Sequence, residues 1–436
     1  MSKNTKKVFW GFLLFDYKAV NEYLEKMAEK GWMLQKVGRY TAQFKAIEPQ
    51  SIKFYVDVFP GSVLSADNNQ ELINYRDLCE ESGWIFVDDY YQLQIFFAPS
   101  DTSTPIPIQT DKVIEQKIAE SKIVKNELLP FTLLLLFYLL IFASDSLNPF
   151  QIEYTELLTF IGVTNTVLLP YIIFFNLIII LLMSIWVFRT RKAVKRGIPL
   201  PKPNIKIAKI RGTWFYFSFL FIFLIYFISI IGDVISTPIT GIIMLFIPLI
   251  GVFGGLFLRK YVKNNGLNNK KSIIFVAVST ILIVTIGVVI MIFGIINASV
   301  FITKERELPQ GYEVMKLDDF YDGNNVVLHR NFDNGNSPLV PTHYDYYEIS
   351  KKGSIRTEHY QAINSYFAKI IFDGIIEEHD EKLIITNPTD WNADDVVFLD
   401  NTGTILILKS NKVVLIDGDF DFSDSNTRNI VLSKLF

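Results

Sequence analysis

Long apolar runs constrain the fold of this chain more than any other feature. Four runs are each long enough to cross a bilayer as a helix, which takes roughly 20 residues. A fifth, Leu128–Ala143, reaches that length only when residues 144–147 are added. We therefore expect a transmembrane bundle within residues 128–298, with spans at about 128–147, 166–188, 212–231, 238–258 and 272–296.

Composition supports a membrane protein. Half of the 436 residues are apolar, and the mean hydropathy is +0.28. A soluble chain of this length is less apolar, and here the excess is concentrated in the runs. The lipid bilayer is therefore the first expected partner.

The basic residues predict the orientation of the spans. Nine lie between Arg189 and Arg211 and five between Arg259 and Lys271, and neither loop contains an acid. Such loops face the cytoplasm, whereas the connections 145–165 and 232–237 carry only acidic charges. Five spans then place the N-terminus in the cytoplasm and the C-terminus outside. Basic loops also occur at nucleic-acid or anionic-lipid contacts, but topology explains these two, and we expect no nucleic-acid partner.

A short repeat organises the N-terminal part. MAEKGW ends at Trp32 and CEESGW ends at Trp84, fifty-two residues later. Each follows a helical pattern and precedes two strand-like segments, so each copy is read as strand, helix, strand, strand. The first strand is predicted at VFWGFLLF, and Asp16 can cap the helix that follows it. In each Gly-Trp step, the Gly adopts a left-handed conformation that ends the helix, and the Trp packs between helix and sheet. Residues 1–99 are thus predicted to form a cytoplasmic α+β domain with an antiparallel sheet and two helices on one face.

Aromatic side chains of this domain are candidates for a ligand-binding groove. Paired units of this kind occur in the SOUL and gyrase-inhibitor-like folds, which bind apolar small molecules between their halves. This likeness is at the level of the fold, and the same residues are equally suited to an ordinary core. The candidate groove residues are Trp10, Trp32, Tyr55, Trp84 and Tyr91.

A more specific resemblance rests on the segments EYLEKMAEKGWMLQKV, FYVDVF, YRDLCEESGWIFV and QIFFA. In this order and spacing they resemble the bacterial family called domain of unknown function 2812, over about residues 8 to 98. The resemblance implies a multi-pass plasma-membrane protein of a Gram-positive bacterium, with this domain at its cytoplasmic N-terminus. Members are often encoded beside PadR-like regulators. The family supplies no accepted activity and no functional residues.

Residues 100–127 are predicted to be a Ser/Thr/Pro-rich linker followed by a lead-in helix. The last four spans contain no Asp, Glu, Lys, Arg or His, which disfavours an ion-coupled carrier. Their polar and small residues favour helix packing, either within the chain or between copies in a homo-oligomer. The predicted packing residues are Asn176, Gly251 and Gly255.

Residues 299–436 are predicted to be a small extracytoplasmic α+β domain, with 13 basic and 23 acidic residues. We expect a helix in RTEHYQAINSYFAKIIFDGIIEE, then three strands and a final helix capped by Ser423 or Asp424. The four His residues show no metal-ligand spacing, and Cys79 is the single cysteine. No catalytic signature is present. We expect no metal, no cofactor and no enzymatic activity.

The sequence therefore predicts a non-enzymatic sensor or regulatory protein that couples an outer domain to a cytoplasmic one. Its partners would be a cytoplasmic protein and, if the groove exists, an apolar small molecule. The alternative is a transport or resistance component that handles amphipathic small molecules or peptides, as the aromatic groove and the PadR association suggest.

Overall fold

The computed structural model divides the chain into two units, which are described one at a time. Unit 1 comprises Met1–Ser144, Tyr171–Phe223 and Val252–Ile283, and unit 2 comprises Asp145–Pro170, Leu224–Gly251 and Val284–Phe436. The described residues are 4–38, 40–61, 70–98, 111–144, 152–198, 200, 203–236, 250–251, 253–258, 260–261, 274–275, 278–280, 282, 285–287, 289, 308–321, 326–379, 384–385, 388–399 and 403–435.

Unit 1 begins with two copies of the same strand-helix-strand-strand arrangement. The first copy consists of β1 (Thr5–Phe9), α1 (Tyr17–Glu29), β2 (Trp32–Val37) and β3 (Thr41–Ala46). The second consists of β4 (Lys53–Val58), α2 (Gln70–Glu81), β5 (Ile85–Tyr90) and β6 (Leu93–Ala98). Each copy forms its own antiparallel sheet, in the orders β1-β3-β2 and β4-β6-β5. We expected one sheet, and the structure has two three-stranded sheets.

The similarity of the two copies extends to local irregularities. The pairing register shifts between Leu34 and Lys36 in the first copy and between Phe86 and Asp88 in the second, again fifty-two residues apart. Gly31 has φ +79° and Gly83 has φ +90°, as predicted for helix-ending glycines. Each copy therefore uses the same turn and the same bulge to position its strands.

The first strand differs from the sequence prediction. VFWGFLLF was interpreted as one strand, but β1 ends at Phe9, and a short 3₁₀ turn, Leu14–Asp16, leads into α1. The intervening residues include Trp10 and Phe12, which are 1% exposed and belong to the core. Their apolar character reflects burial in this core rather than pairing within a sheet.

Three described helices are long and apolar enough to cross a membrane. They are Lys112–Leu140, Phe160–Arg196 and Ile205–Ser236. The first contains α3 (Lys112–Ile123), a π-helical turn (Val124–Leu128) and most of α4 (Leu129–Ser144). The other two are α5 (Phe160–Arg196) and α6 (Ile205–Ser236). The predicted spans 238–258 and 272–296 lie largely outside the described residues, and the predicted linker segment 100–110 lies wholly outside them.

The helices α5 and α6 extend beyond the predicted spans 166–188 and 212–231. Together they include most of the basic segment that was interpreted as a loop, because α5 continues to Arg196 and α6 begins at Ile205. Arg211 is therefore a helix residue.

Unit 2 contains a seven-stranded antiparallel sheet with strand order β10-β11-β12-β13-β9-β8-β7. Among the described residues after 307, the sheet is accompanied by the helices α7 (Ser365–Glu378) and α8 (Ser425–Leu435). Ala368, Ile371, Phe372 and Ile375 of α7 pack on one buried cluster with Leu406 and Leu415 of the sheet. The strands are β7 (Val327–Gly335), β8 (Thr342–Ser350), β9 (Ser354–Gln361), β10 (Ile384–Ile385), β11 (Asp395–Phe398), β12 (Thr404–Lys409) and β13 (Lys412–Gly418).

Predictions for the C-terminal domain were partly correct. The three strands β11 to β13 and the final helix are confirmed, and Asp424 Oδ2 accepts the cap bonds from the backbone N–H groups of Asn426 and Thr427 at 3.0 and 3.3 Å. The predicted helix from Arg356 was wrong at its start, because residues 354–361 pair with β8 and β13. The helix begins at Ser365, where the Asn364 side chain caps it.

The ends of α5 and α6 that belong to unit 2 are held by specific contacts there. The Asp233 carboxylate accepts hydrogen bonds from the N–H groups of Phe160 and Ile161, at 2.7 and 3.0 Å, and so caps the start of α5. Just before α5, Leu157 is fully buried in the cluster below α7. The Ser337 hydroxyl donates to the Leu157 carbonyl at 2.5 Å.

Candidate functional site

The backbone of unit 1 makes a very close approach between the segment before α1 and helix α6. An added Cβ at Gly212 would lie 2.4 Å from the carbonyl oxygen of Gly11, and one at Gly11 would lie 2.7 Å from the Thr213 hydroxyl oxygen. Side chains at these positions would hold the two backbones apart. The glycine pair therefore allows the N-terminal domain to pack directly on α6.

An ion pair lies beside this contact. The Arg211 guanidinium of α6 donates to the Asp16 carboxylate, and Asp16 is 5% exposed. Burial raises the pKa of Asp16 to about 6, although Arg211 and the Leu13 N–H both lower it. The sequence predicted that Asp16 would cap α1, and this was wrong. Asp16 occupies the N-cap position but makes no side-chain cap bond to the helix.

Aromatic rings surround the basic side chains of α6. The Arg211 guanidinium lies 4.5 Å from the centre of the Phe15 ring, and the Lys209 ammonium lies 3.8 Å from the centre of the Tyr23 ring. Such cation–π contacts favour a cation that is partly removed from water. The basic residues of α6 therefore stabilise the domain contact in addition to any role in membrane topology.

Helix α3 connects the N-terminal domain to its neighbours through three polar contacts. Lys18 of α1 pairs with Glu115 at 3.1 Å, Lys122 donates to the Gly61 carbonyl at 2.7 Å, and Arg191 of α5 pairs with Glu120 at 2.7 Å. In addition, Ala119 and Ile123 are buried in two different apolar clusters of unit 1. These residues were predicted to be a linker and a lead-in helix, and the structure packs them against the domain.

A second buried carboxylate, Asp57 of β4, accepts a hydrogen bond from the Tyr75 hydroxyl at 2.5 Å. Asp57 is 2% exposed, and burial raises its pKa to about 6. Burial also raises the pKa of the nearby Cys79 thiol to about 12. The thiol is therefore protonated at neutral pH, which makes it a poor nucleophile.

The five predicted groove residues lie in different environments. Trp10 belongs to the larger core cluster of the domain and Trp32 packs against it, whereas Tyr55 and Trp84 belong to a separate cluster, with ring centres 5.3 Å apart. Tyr91 is 55% exposed and adopts φ +52° in the β5–β6 turn. Of the five, the structure thus brings Tyr55 and Trp84 into ring contact, and a groove shared by all five stays a prediction.

The predicted packing residues differ in burial, since Asn176 is buried whereas Gly251 and Gly255 are exposed among the described residues. Asn176 is buried in α5, and its amide nitrogen donates to the Ile172 carbonyl of the same helix at 2.9 Å. An added Cβ at Gly251 or Gly255 would meet no described atom within 4 Å. A role for these glycines in packing between copies stays a prediction.

Sequence reasoning missed the contact residues Gly11, Asp16, Arg211 and Gly212. Arg211 was assigned to a basic loop, and neither glycine has a local signal such as a turn motif. The adjacent pair RG at 211–212 is a weak signal, since it places a cation next to the smallest residue at the start of an apolar run. Within the described part of the chain, no group of three or more His, Cys, Asp or Glu side chains is arranged to hold a metal ion.

Comparison with known proteins supports the resemblance read from the sequence. Residues 16–132 match the family DUF2812, "Protein of unknown function". The match continues past residue 98 through α3, the helix that packs against the domain. Neither the curated proteins nor the solved structures include a match. Over residues 16–132 the chain therefore resembles the DUF2812 family, and this resemblance assigns no activity.

Proposed function

We propose that this protein is a non-enzymatic, multi-pass membrane protein that couples an outer sensory domain to the N-terminal domain in the cytoplasm. In this proposal the N-terminal domain regulates a cytoplasmic protein partner. The membrane is the plasma membrane of a Gram-positive bacterium, as the family resemblance suggests. The unassigned family and the three helices long enough to span a membrane are consistent with this role.

One observation carries the proposal: α5 and α6 are each part of the packing of both units. In unit 1, Phe175 and Met183 of α5 form a cluster with Leu13 and Phe15, which precede α1. In unit 2, Asp233 of α6 caps the start of α5. Helix α5 has 37 residues and is therefore about 55 Å long. A continuous helix that is packed at both ends is suited to transmit a displacement.

Gly374 offers a way to test this coupling. It lies in α7, and an added Cβ would meet the Tyr154 ring carbon Cδ1 at 2.6 Å. Gly374→Ala should therefore displace Tyr154 and the segment that leads into α5. The measurement is amide hydrogen exchange on the full chain in lipid nanodiscs, with Ser365→Ala at the exposed start of α7 as the matched control. We expect altered exchange in residues 16–29 and 112–128 for Gly374→Ala alone.

The coupling proposal fails if Gly374→Ala changes exchange around Tyr154 but leaves residues 16–29 and 112–128 as in the unmodified protein. The orientation is tested separately with reporter tags placed before Met1 and after Phe436. We expect the two tags to report opposite sides of the membrane, and the same side for both would contradict the proposed topology.

A further inference from the structure

The C-terminal domain of unit 2 contains a cavity of about 460 Å³ that the coupling proposal does not use. It lies where α7 ends above strands β9, β12 and β13. Its volume is typical of sites for small organic molecules. The charged and polar lining includes Tyr154, Arg356, Glu358, Glu378, His379 and Asp417.

The positive charge of Arg356, the one arginine of the lining, is balanced by neighbouring carboxylates. Arg356 makes two hydrogen bonds to the Asp345 carboxylate, at 2.9 and 2.8 Å, and also pairs with Glu358 at 2.9 Å. The bidentate arrangement fixes the guanidinium against Asp345. One positive charge is thus shared by two carboxylates, and this group alone has a net charge of about −1.

Two more carboxylates line the cavity and receive hydrogen bonds from neutral hydroxyl groups. The Tyr154 hydroxyl donates to Glu378 at 2.6 Å, and the Thr404 hydroxyl donates to Asp417 at 2.7 Å. Burial and the Glu378 carboxylate raise the pKa of Tyr154, so its hydroxyl keeps its proton. Hydroxyl groups do not neutralise a carboxylate, and the cavity therefore has an excess of negative charge.

The C-terminal end of α7 makes the electrostatic potential in the cavity more negative. The helix ends at Glu378, and its last turn contains no basic residue. The carbonyl end of a helix favours cations, so Glu377 and Glu378 stand where Lys or Arg would be the stabilising choice. The next residue, His379, directs Nδ1 to the Ile375 carbonyl at 2.9 Å. Because a carbonyl only accepts, Nδ1 carries the proton of this hydrogen bond.

The apolar part of the lining distinguishes an organic cation from a metal ion. Ile375 and Leu415 contribute hydrocarbon surface to the cavity, and Tyr154 contributes a ring. A metal site would need several oxygen ligands converging at 2.0 to about 2.6 Å, and the described residues contain no such group. The second adjacent cavity, of about 530 Å³, shares Tyr154 and Glu378 and is also lined by Glu153, Asp373 and Glu377.

We propose that the cavity at the end of α7 binds a small organic cation carrying ammonium or guanidinium groups, with Glu378 and Asp417 as its principal acceptors. The inference rests on the proposed function, because it names the ligand class that the outer domain detects. Tyr154 would report binding: a cation at Glu378 competes with the Tyr154 hydroxyl, and Tyr154 begins the turn that leads to α5.

Binding can be tested on the full chain in nanodiscs with agmatine, a small dication with one ammonium and one guanidinium group. We expect saturable binding by calorimetry, weakened by at least about tenfold in Glu378→Gln and in Asp417→Asn, the effect of losing one charged hydrogen bond. Glu313→Gln, an exposed carboxylate outside the cavity lining, is the control and should bind as the unmodified protein does. Thermal unfolding of each variant verifies that it is folded.

Absence of saturable agmatine binding, or equal affinity in both cavity variants and the control, would overturn the inference. So would displacement of agmatine by millimolar Mg²⁺ at constant ionic strength, since this would indicate an inorganic cation site. The two proposals fail separately. Agmatine binding without any change of exchange in residues 112–128 contradicts coupling alone, whereas a Gly374→Ala effect without agmatine binding contradicts the cavity inference alone.

Discussion

Replacing Arg211 with Met should destabilise the protein by an amount that depends on pH. The methionine keeps much of the side-chain length but removes the partner of the buried Asp16 carboxylate. With Arg211 present, the pKa of Asp16 is about 6, above its ordinary value of 3.8. Loss of Arg211 removes the main influence that lowers this pKa, so in the variant Asp16 should keep its proton to higher pH.

The sign and size of the effect follow from proton linkage. A raised pKa means that the folded protein binds more protons than the unfolded chain, so this group lowers stability as pH rises from about 4 to about 6. In Arg211→Met that loss should continue above pH 6, by about 1.4 kcal/mol for each pH unit. At pH 5 we expect the free energy of unfolding of the variant to be lower by about 1 kcal/mol, because one hydrogen bond is lost. At pH 8 this difference should be larger by up to about 2.7 kcal/mol.

Thermal unfolding of the full chain, followed by tryptophan fluorescence at pH 5 and pH 8, provides the measurement. Asp16→Asn and the double variant Asp16→Asn/Arg211→Met are the controls, and both should lose the additional pH dependence. The charge of Asp16 also acts on a second acid, Glu127. The pH effect of Arg211→Met should persist in a Glu127→Gln background, because it arises at Asp16 itself. An equal drop in Tm at both pH values would refute the reasoning, as would a double variant that retains the pH dependence.

Three further predictions concern unit 1. Gly212→Ala should lower the Tm of the full chain, because its Cβ must move about 1 Å from Gly11 to reach ordinary van der Waals separation; Gly251→Ala, which meets no described atom, is the control and should leave Tm unchanged or raise it. In the unmodified protein, the raised pKa of Asp57 lowers the free energy of unfolding by about 3 kcal/mol as pH rises from 4 to 6. Asp57→Asn should lack this decrease and show a flatter plot of Tm against pH; an unchanged plot would contradict this. Cys79, buried and with a pKa of about 12, should react with a maleimide at pH 7 only as fast as the protein unfolds; rapid labelling of the folded protein would show that the site is open.

The local structure of the N-terminal domain could be predicted from the sequence because its signals are local. Gly31 and Gly83 end their helices with positive φ, and the following segments form strands. Periodicity also identified the buried face of α1, on which Val20 and Leu24 are fully buried. What could not be predicted was the division into two sheets, because the pattern of each strand does not show whether its partner lies in the same copy or in the other one, and all of these strands pair within their own copy.

In the C-terminal domain, the errors have a different cause. HYDYYEIS and SIRTEHYQ consist of polar and aromatic residues with a single Ile each, so these strands show little apolar contrast. Tyr360 and Phe367 are seven residues apart, and this spacing predicts one helical face, although Tyr360 lies in β9 and Phe367 in α7. The cavity at Glu378 and Asp417 was missed for a similar reason. These carboxylates come from different elements, and only the packing of α7 on the sheet places them around one space.

The contact between Asp16 and Arg211 shows most clearly what a single sequence leaves open. The two residues are 195 positions apart, and each has a satisfactory local interpretation, one as a helix cap and the other as a topology determinant. The local interpretation of Asp16 is wrong because a buried carboxylate gains more from a guanidinium than from a backbone N–H. That of Arg211 is incomplete, since a cation at the end of an apolar run can satisfy both the positive-inside preference and a domain contact.

Helix α3 packs against the N-terminal domain and belongs to the first candidate span. It continues without a break into α4, and its residues Ala119 and Ile123 are buried in two separate clusters. A flexible linker would let the span move while the domain stayed in place. A close-packed helix cannot shift without changing both clusters, because protein interiors have little free volume. A movement of α4 would therefore either carry the domain with it or break the contacts of Glu115 and Glu120, and for this reason the proposed coupling is tested by amide exchange in residues 112–128.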